Sequence, residues 1–263
     1  EYGMDEYITD DGFWLYRKSR LNYYGVTALM ARVYLCQENL TDALACAQEV
    51  IDSKRFEFMN DSINNVYAYR NLSYIEKMAR HEYVSSLYVY DLKEGRSDLF
   101  FKNLASCECV IAEGRKASIY SGMGQDLDIR SKNWFETPAG SATEYVNKYM
   151  RGTQIPLLKL SEMYLIAAEG WMEDDPGHAA ELLQTFKQAR TQKEVVSQEV
   201  TEDVIMREIR KEFIGEGVIF LTYKRLHHDI WGNTSEDQVK ADNNVFVFPI
   251  PEDEIEYGNR TQN

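Results

Sequence analysis

Three small constellations in this chain have residue types that do chemistry in other proteins. His227, His228 and Asp229 stand in a row, and Cys107 and Cys109 flank a glutamate. Glu208, Glu212 and Glu216 recur every four residues beside Arg207, Arg210 and Lys211. The first group has the ligands of a metal site or a proton relay, the second has soft sulfur ligands, and the third is a row of carboxylates. Spacing weakens each. Neighbours on a helix point about 100° apart, so His227, His228 and Asp229 do not converge without ligands from elsewhere, and a structural or surface role is expected. No second Cys/His cluster completes a metal site with Cys107 and Cys109. Carboxylates at i and i+4 beside basic residues are the pattern of a helix stitched by its own ion pairs. No HExxH, GxSxG, P-loop or GxGxxG is present, and Glu216 puts an acid where a phosphate cradle needs free backbone N–H groups. Two acids could meet as a glycosidase pair, but nothing in the sequence selects which. The expectation is a protein with no catalytic residues, no metal and no cofactor: not an enzyme.

Composition narrows the partners. The 263 residues are 44% hydrophobic and 13% aromatic, with 18 tyrosines, enough for one large domain or two small ones. A formal net charge of -14 would repel both nucleic acid and an anionic membrane surface. No apolar run approaches the ~20 residues that cross a bilayer. The start, EYGMDEYITDDGF, has neither a basic nor an apolar region of a signal peptide and no initiator Met, so a fragment or processed product is expected. The four cysteines do not make a disulfide framework in a chain of this length, and Cys36 and Cys46 read as small core residues on helices.

The elements that would position any site are mostly helical. Residues 21–52 show apolar side chains three and four apart, broken by QENLT, where Asn39 or Thr41 can cap a second helix. Ala31, Tyr34 and Ala43 place a small residue, an aromatic three later, and an alanine twelve after the first. Residues 156–190 repeat the spacing with Ala168, Trp171 and Ala180. Small residues at matched positions let antiparallel helices approach closely, the arrangement of a tetratricopeptide (TPR) hairpin. The copies lie about 100 residues apart, so the intervening segment must loop out and return. Within it, EYVSSLYVYDL has the composition of a strand, and residues 114–150 read as irregular structure with short strands. Long ordered irregular segments are where function usually sits.

The end of the chain carries two further signals. Gly-Glu-Gly after RKEFI is a helix stop, with positive φ expected at Gly217. Phe246, Phe248 and Ile250 alternate around Pro249 and Pro251, so an extended strap with all three side chains docked is expected. Glu252, Asp253 and Glu254 then suit the first turn of a short helix.

Several of these stretches together resemble the SusD/RagB family of surface nutrient-binding lipoproteins of Bacteroidetes. NYYGVTALMARVYLCQENLTDALACAQEVI is similar to the family's third TPR-type hairpin, and IPLLKLSEMYLIAAEG to its PLLRLAEMYLIAAE helix. IRKEFIGEGVIFLTYKRL and FPIPEDEI resemble the signatures RRxELxxEGxRxxDLxRW and PIPxxEI. The chain departs from the pattern where Ile219 and Thr222 replace an Arg and an Asp, and where Tyr223 and Leu226 replace a Leu and a Trp, which suggests a divergent subgroup. The resemblance implies a mainly α, SusD-like fold: TPR-like hairpins with a long irregular insert containing short β-strands. Residues 1–263 would form one SusD-like C-terminal region, with a hairpin at 21–52, the insert and candidate ligand region at 56–154, a second hairpin and following helix at 155–231, and the strap at 244–263.

The same resemblance implies oligosaccharide capture at the outer-membrane cell surface and delivery to a SusC-like TonB-dependent transporter. The chain would be held by an N-terminal lipid anchor that these residues do not include. Sugars stack their C–H faces on aromatic rings and give their hydroxyls to planar polar groups. On those grounds Trp134, Tyr120, Tyr69 and Tyr88 are the candidate platforms, with Arg130 and Asn133 as polar partners. Core positions for these aromatics, and a structural Asp128–Arg130 pair, remain the alternative. A peptide-binding family member, a TPR-type adaptor and a carbohydrate-active enzyme are the other functional readings.

Overall fold

The computed structural model describes residues 20–58, 80–89, 110–111, 114–121, 128–137, 144–146, 148, 154–191, 195–232 and 237–258. Tyr69, Cys107 and Cys109 lie outside them. The first hairpin forms as its spacing predicts. Helix α1 (Tyr23–Cys36) is capped by Asn22, and α2 (Leu40–Asp52) by Asn39, whose side chain accepts from Asp42 N. Ala28, Ala31, Ala43 and Ala47 are fully buried where the two helices meet.

The chain returns from the insert along a strand. Strand β1 (Tyr83–Tyr88) pairs antiparallel with β5 (Gln154–Lys159), with a register irregularity between Tyr83 and Ser86. This corrects the expected start of the second hairpin. Residues 154–159 are strand rather than helix, because Pro156 suits an extended strand better than a helix interior and β1 offers a partner. Helix α5 (Leu160–Gly170) follows directly, and α6 (Pro176–Gln188) starts with Pro176 behind the Asp175 cap. The fully buried alanine of α6 is Ala179, one residue before the position picked out by spacing.

The two hairpins are neighbours in space despite the insert between them. α2 packs on α5, and α5 on α6. Gly170 permits the close α2–α5 approach: a Cβ there would lie 2.9 Å from Leu44 Cβ. Arg32, the one charged residue of α1, grips Glu162 of α5 bidentately at 2.6 Å through Nε and Nη2, and Nη2 also donates to Leu157 O at 2.7 Å.

Within the insert, β2 (Val110–Ile111), β3 (Phe135–Glu136) and β4 (Glu144–Val146) make a small antiparallel sheet in the order β2-β4-β3. Short helices α3 (Arg115–Ile119) and α4 (Ile129–Asn133) accompany it. Helix α7 (Glu202–Glu212), capped by Thr201, ends before Gly215 and Gly217, whose φ values are +79° and +80°. The expected helix stop is therefore present.

Residues 1–215 and 216–263 form two compact units. In the second, α8 (Val218–Arg225) is followed by an isolated bridge between Ile230 and Val239, then α9 (Asn243–Phe246) and α10 (Glu252–Glu256). Glu252, Asp253 and Glu254 occupy the first turn of α10, as their charge favours. The strap itself differs from expectation. Asp242 accepts from Asn244 N and winds residues 243–246 into a helical turn, which breaks the period-two frame at Phe246. Phe246 is buried against the rings of Phe220 and His227, Ile250 is half-buried, and Phe248 is 88% exposed. Phe246→Ala should therefore cost roughly 3–5 kcal/mol of stability, while Phe248→Ala should stay within about 0.5 kcal/mol. Thermal melts of the two variants check this; equal effects would contradict the assignment.

Candidate functional site

The largest gathering of ionisable groups in the described residues is closed to solvent. It is built from five separated pieces of chain. Glu82 ends the turn before β1, Asp128 and Arg130 open α4, Lys159 ends β5, Arg190 follows α6, and Glu208, Lys211 and Glu212 lie on α7. Four cations face four carboxylates, and all eight side chains are buried.

Glu212 is the hub. Its Oε2 accepts from Arg190 Nε at 3.0 Å and Arg130 Nη1 at 3.2 Å, and its Oε1 from Arg190 Nη2 at 3.0 Å and Lys159 Nζ at 3.3 Å. Arg190 turns its remaining donors to Glu82 in a bidentate pair. Arg130 grips Asp128 in a second one, at 2.7 and 3.0 Å, and reaches Glu208 at 3.0 Å. Lys211 Nζ completes Glu208 at 2.8 Å. The C-terminal carbonyls of α7 are satisfied by the same neighbourhood: Lys148 and Lys159 ammonium groups donate to Glu212 O, and Tyr120 OH to Lys211 O at 2.8 Å. Aromatic rings line the cluster, with Phe186 under both arginines and Phe213 under Lys159.

The surrounding charges hold Glu208, Glu212, Arg130 and Arg190 ionised. Burial alone would raise the Glu212 carboxyl, but Arg190, then Lys159 and Arg130, hold it well below the usual glutamate value. Glu208 is likewise lowered, with Arg130 and Lys211 outweighing burial. Burial opposes the Arg130 charge, yet Asp128 and Glu208 keep its pKa well above the ordinary one. A carboxylate that is buried, fully bonded and held ionised can neither donate a proton to a substrate nor reach one. The cluster is a joint, not an acid/base site. The expected stitching by ion pairs within the helix is present at Glu208–Lys211 and Arg207–Asp203, while Glu212 pairs with Arg130, Lys159 and Arg190 from other segments.

The joint also absorbs two nominated ligand residues. Arg130 is completely buried and committed to three carboxylates, so it is not available to sugar hydroxyls. Tyr120 is 1% exposed, packed edge-on against Phe135, with its hydroxyl spent on Lys211 O. Both are core, and the Asp128–Arg130 pair is structural. Trp134 is half-buried against Ile111, Tyr120, Phe135 and Val146, and Lys148 Nζ sits 3.9 Å from its ring centroid, so one ring face is already occupied. Asn133 Nδ2 donates to Ile129 O at 2.7 Å within its own short helix. Tyr88, the last residue of β1 beside the exposed Leu87, presents 47% of its surface. It is the nominated aromatic that the described structure leaves accessible.

The His-His-Asp row does not converge. His228 Nδ1 meets Asp229 O, His227 packs on Phe246, and Asp229 accepts from Lys240 Nζ and Ala241 N. Among the described residues, no three His, Cys, Asp or Glu side chains are grouped to hold a metal ion.

The sequence matches no family profile and no curated protein. Its fold does match solved structures. A SusD superfamily protein from Bacteroides vulgatus superposes with a TM-score of 0.69 at 22% identity, over 94% of this chain and 60% of that one. One from Bacteroides thetaiotaomicron gives 0.61 at 21%, over 92% and 60%. Surface glycan-binding protein A from Bacteroides thetaiotaomicron, in complex with laminarihexaose, gives 0.67 at 16%, over 94% and 65%. The chain has a SusD-like fold, and it spans about 60% of the length of those SusD superfamily structures.

Removing one partner of the joint leaves buried charge uncompensated, so Glu212→Gln should cost about 3–5 kcal/mol at pH 7. Glu208 and Glu212 titrate lower folded than unfolded. Their contribution is complete above the usual value of 4.5 and is lost as pH falls through the lower folded values. Melting temperatures of the wild-type protein should therefore drop below about pH 4.5, and the gap to Glu212→Gln should narrow there. A gap that stays constant from pH 7 to pH 3 would contradict the assignment.

Proposed function

We propose that this protein binds an oligosaccharide nutrient at a bacterial cell surface and passes it, uncleaved, to a TonB-dependent outer-membrane transporter. The observation that carries the proposal is the SusD-like fold, shared over 94% of the chain with a surface glycan-binding protein solved with laminarihexaose. Physical chemistry favours the same direction. The acidic chain is a poor partner for nucleic acid or anionic lipid, and the buried carboxylates Glu82, Asp128, Glu208 and Glu212 are locked in a joint. No helix of the described residues is long and apolar enough to cross a membrane. A lipid anchor belongs to this reading through the resemblance to the SusD/RagB lipoproteins.

In this reading Tyr88 is a stacking platform, its ring held at the end of the β1–β5 ribbon while the ribbon's other end leads into the ion cluster. A rigid strand end suits the task, because a platform held in place loses little entropy when a sugar settles on it. Trp134 and Asn133 lie beside the small sheet of the insert and would line the approach rather than form the platform. Tyr69 remains a nomination from the sequence.

Calorimetric titration with a panel of plant, host and microbial oligosaccharides, laminarihexaose among them, tests the proposal. Saturable binding is expected for at least one. Tyr88→Ala should weaken it by about 1–3 kcal/mol without changing the melting temperature. Absence of binding across the panel, or binding of peptides in its place, would contradict the glycan reading. Shorter oligosaccharides after incubation would contradict the non-enzymatic one.

A further inference from the structure

Helix α2 ends in a turn that carries the chain back across the start of α1. Ser53 Oγ donates to Val50 O and accepts from Arg55 N, and Lys54 takes a φ of +52°, the left-handed step that closes many helices. Arg55 and Phe56 thereby land on Tyr24. The Arg55 guanidinium lies over the Tyr24 ring, 5.7 Å from its centroid, and Phe56 meets the same ring edge-on at 6.0 Å. Tyr23 completes the row. It stands edge-on to Tyr24 at 5.2 Å, and its hydroxyl donates to Glu49 in the last turn of α2.

Tyr23 presents 67% of its surface, more than Tyr88, yet its ring is held by Tyr24 on one side and by Glu49 at its hydroxyl. A ring that is open to water and already fixed loses little entropy when a pyranose settles on its face. The groups around it suit sugar hydroxyls, which both donate and accept. Arg55 is exposed, and among the described residues its guanidinium donates no hydrogen bond. Stacking on Tyr24 keeps those donors in a fixed planar fork. Glu49 spends one oxygen on Tyr23, and its other oxygen accepts nothing among the described residues. The net charge of -14 opposes the approach of an acidic polysaccharide, and one guanidinium does not reverse that, so the matching unit is a neutral sugar. The first turn of α1 also touches the strand that carries Tyr88. A Cβ at Gly25 would lie 3.6 Å from Ser85 Cβ, three residues before Tyr88.

We propose that Tyr23, Arg55 and Glu49 form a subsite for a neutral pyranose unit, with Tyr23 as the stacking platform and Arg55 and Glu49 as the hydroxyl partners. Tyr24 and Phe56 hold these groups in place. The assignment rests on the reading of the protein as a glycan binder, and it adds a second point of contact to Tyr88.

Calorimetric titrations with laminarihexaose, cellohexaose and xylohexaose, and with hexagalacturonate as the acidic arm, test the subsite. For a neutral hexasaccharide that saturates the wild-type protein, Tyr23→Ala should weaken binding about tenfold and Arg55→Ala about fivefold. Tyr23→Phe keeps the ring but releases it from Glu49, and should fall between wild type and Tyr23→Ala. Melting temperatures of all three variants should stay close to wild type, because both side chains lie at the surface. Wild-type affinity in Tyr23→Ala and Arg55→Ala, with a loss in Tyr88→Ala, would overturn the subsite and leave the glycan reading standing. A loss in Tyr23→Ala with none in Tyr88→Ala would support the subsite and remove Tyr88 as a platform. A melting temperature that falls with the affinity of Tyr23→Ala would make the ring structural and overturn its role as a platform. Binding of hexagalacturonate alone would overturn the neutral-sugar assignment. No binding of any of the four by the wild-type protein would overturn the subsite together with the reading on which it rests.

Discussion

Glu212 is the constraint around which the first unit of this protein is organised. A buried carboxylate is tolerable only if it is paired and its lone pairs are used, and Glu212 meets that condition with cations from α4, the turn after α6, and β5. Each of those elements comes from a different part of the sequence. Arg190 then carries the connection on to Glu82 at the foot of β1. Apolar side chains of similar volume could fill the same space at equal or better stability. What the charges add is selectivity of position: an arginine with five directional donors fits one arrangement of acceptors, where a leucine would accept several.

The joint explains how a long insert can leave one helical hairpin and return to another without loosening the hairpins. Its return strand β5 pairs with β1, ends on Lys159 in the cluster, and passes straight into α5. Helix α5 then meets α2 at the Gly170–Leu44 contact, and Arg32 ties α1 to both β5 and α5. Two hairpins remote in sequence thereby become one stack. The same path fixes the strand end that carries Tyr88, so the accessible aromatic and the buried charges belong to one construction.

Much of this was legible in the sequence, and the rest was hidden for a physical reason. Local patterns carried local structure: Asn39 capping α2, the alanine seams, the β1 strand and the glycine stop after α7 all depend on residues within one or two turns. The ion cluster was not legible, because its members lie at positions 82, 128, 130, 159, 190, 208, 211 and 212 and only α7 shows several together. On that helix, carboxylates beside basic residues look the same whether they face water or four other segments. Glu212 does stand at the Glu of the RRxEL stretch in the SusD/RagB signature, a position whose role becomes visible only in the fold. The nominated ligand residues divided for the same reason. Composition marks Tyr120 and Tyr88 alike, and burial alone separates a ring sealed over α7 from one that presents 47% of its surface at a strand end. At the C-terminus, period-two spacing suggested a docked strap, while a single Asp242 cap was enough to wind Phe246 inward and leave Phe248 in water.

Hydrogen–deuterium exchange on Glu212→Gln, compared with the wild-type protein, tests most directly whether one buried carboxylate joins these segments. Loss of the hub should raise exchange together in residues 82–88, 154–159, 128–133 and 187–191, where β1 pairs with β5 and Asp128 bridges to Thr191, and the cluster joins the one pair of segments to the other. The outer side of the α1–α2 hairpin should change least. An increase confined to α7 would contradict the account, because it would make Glu212 a local helix residue rather than the point at which the fold is tied.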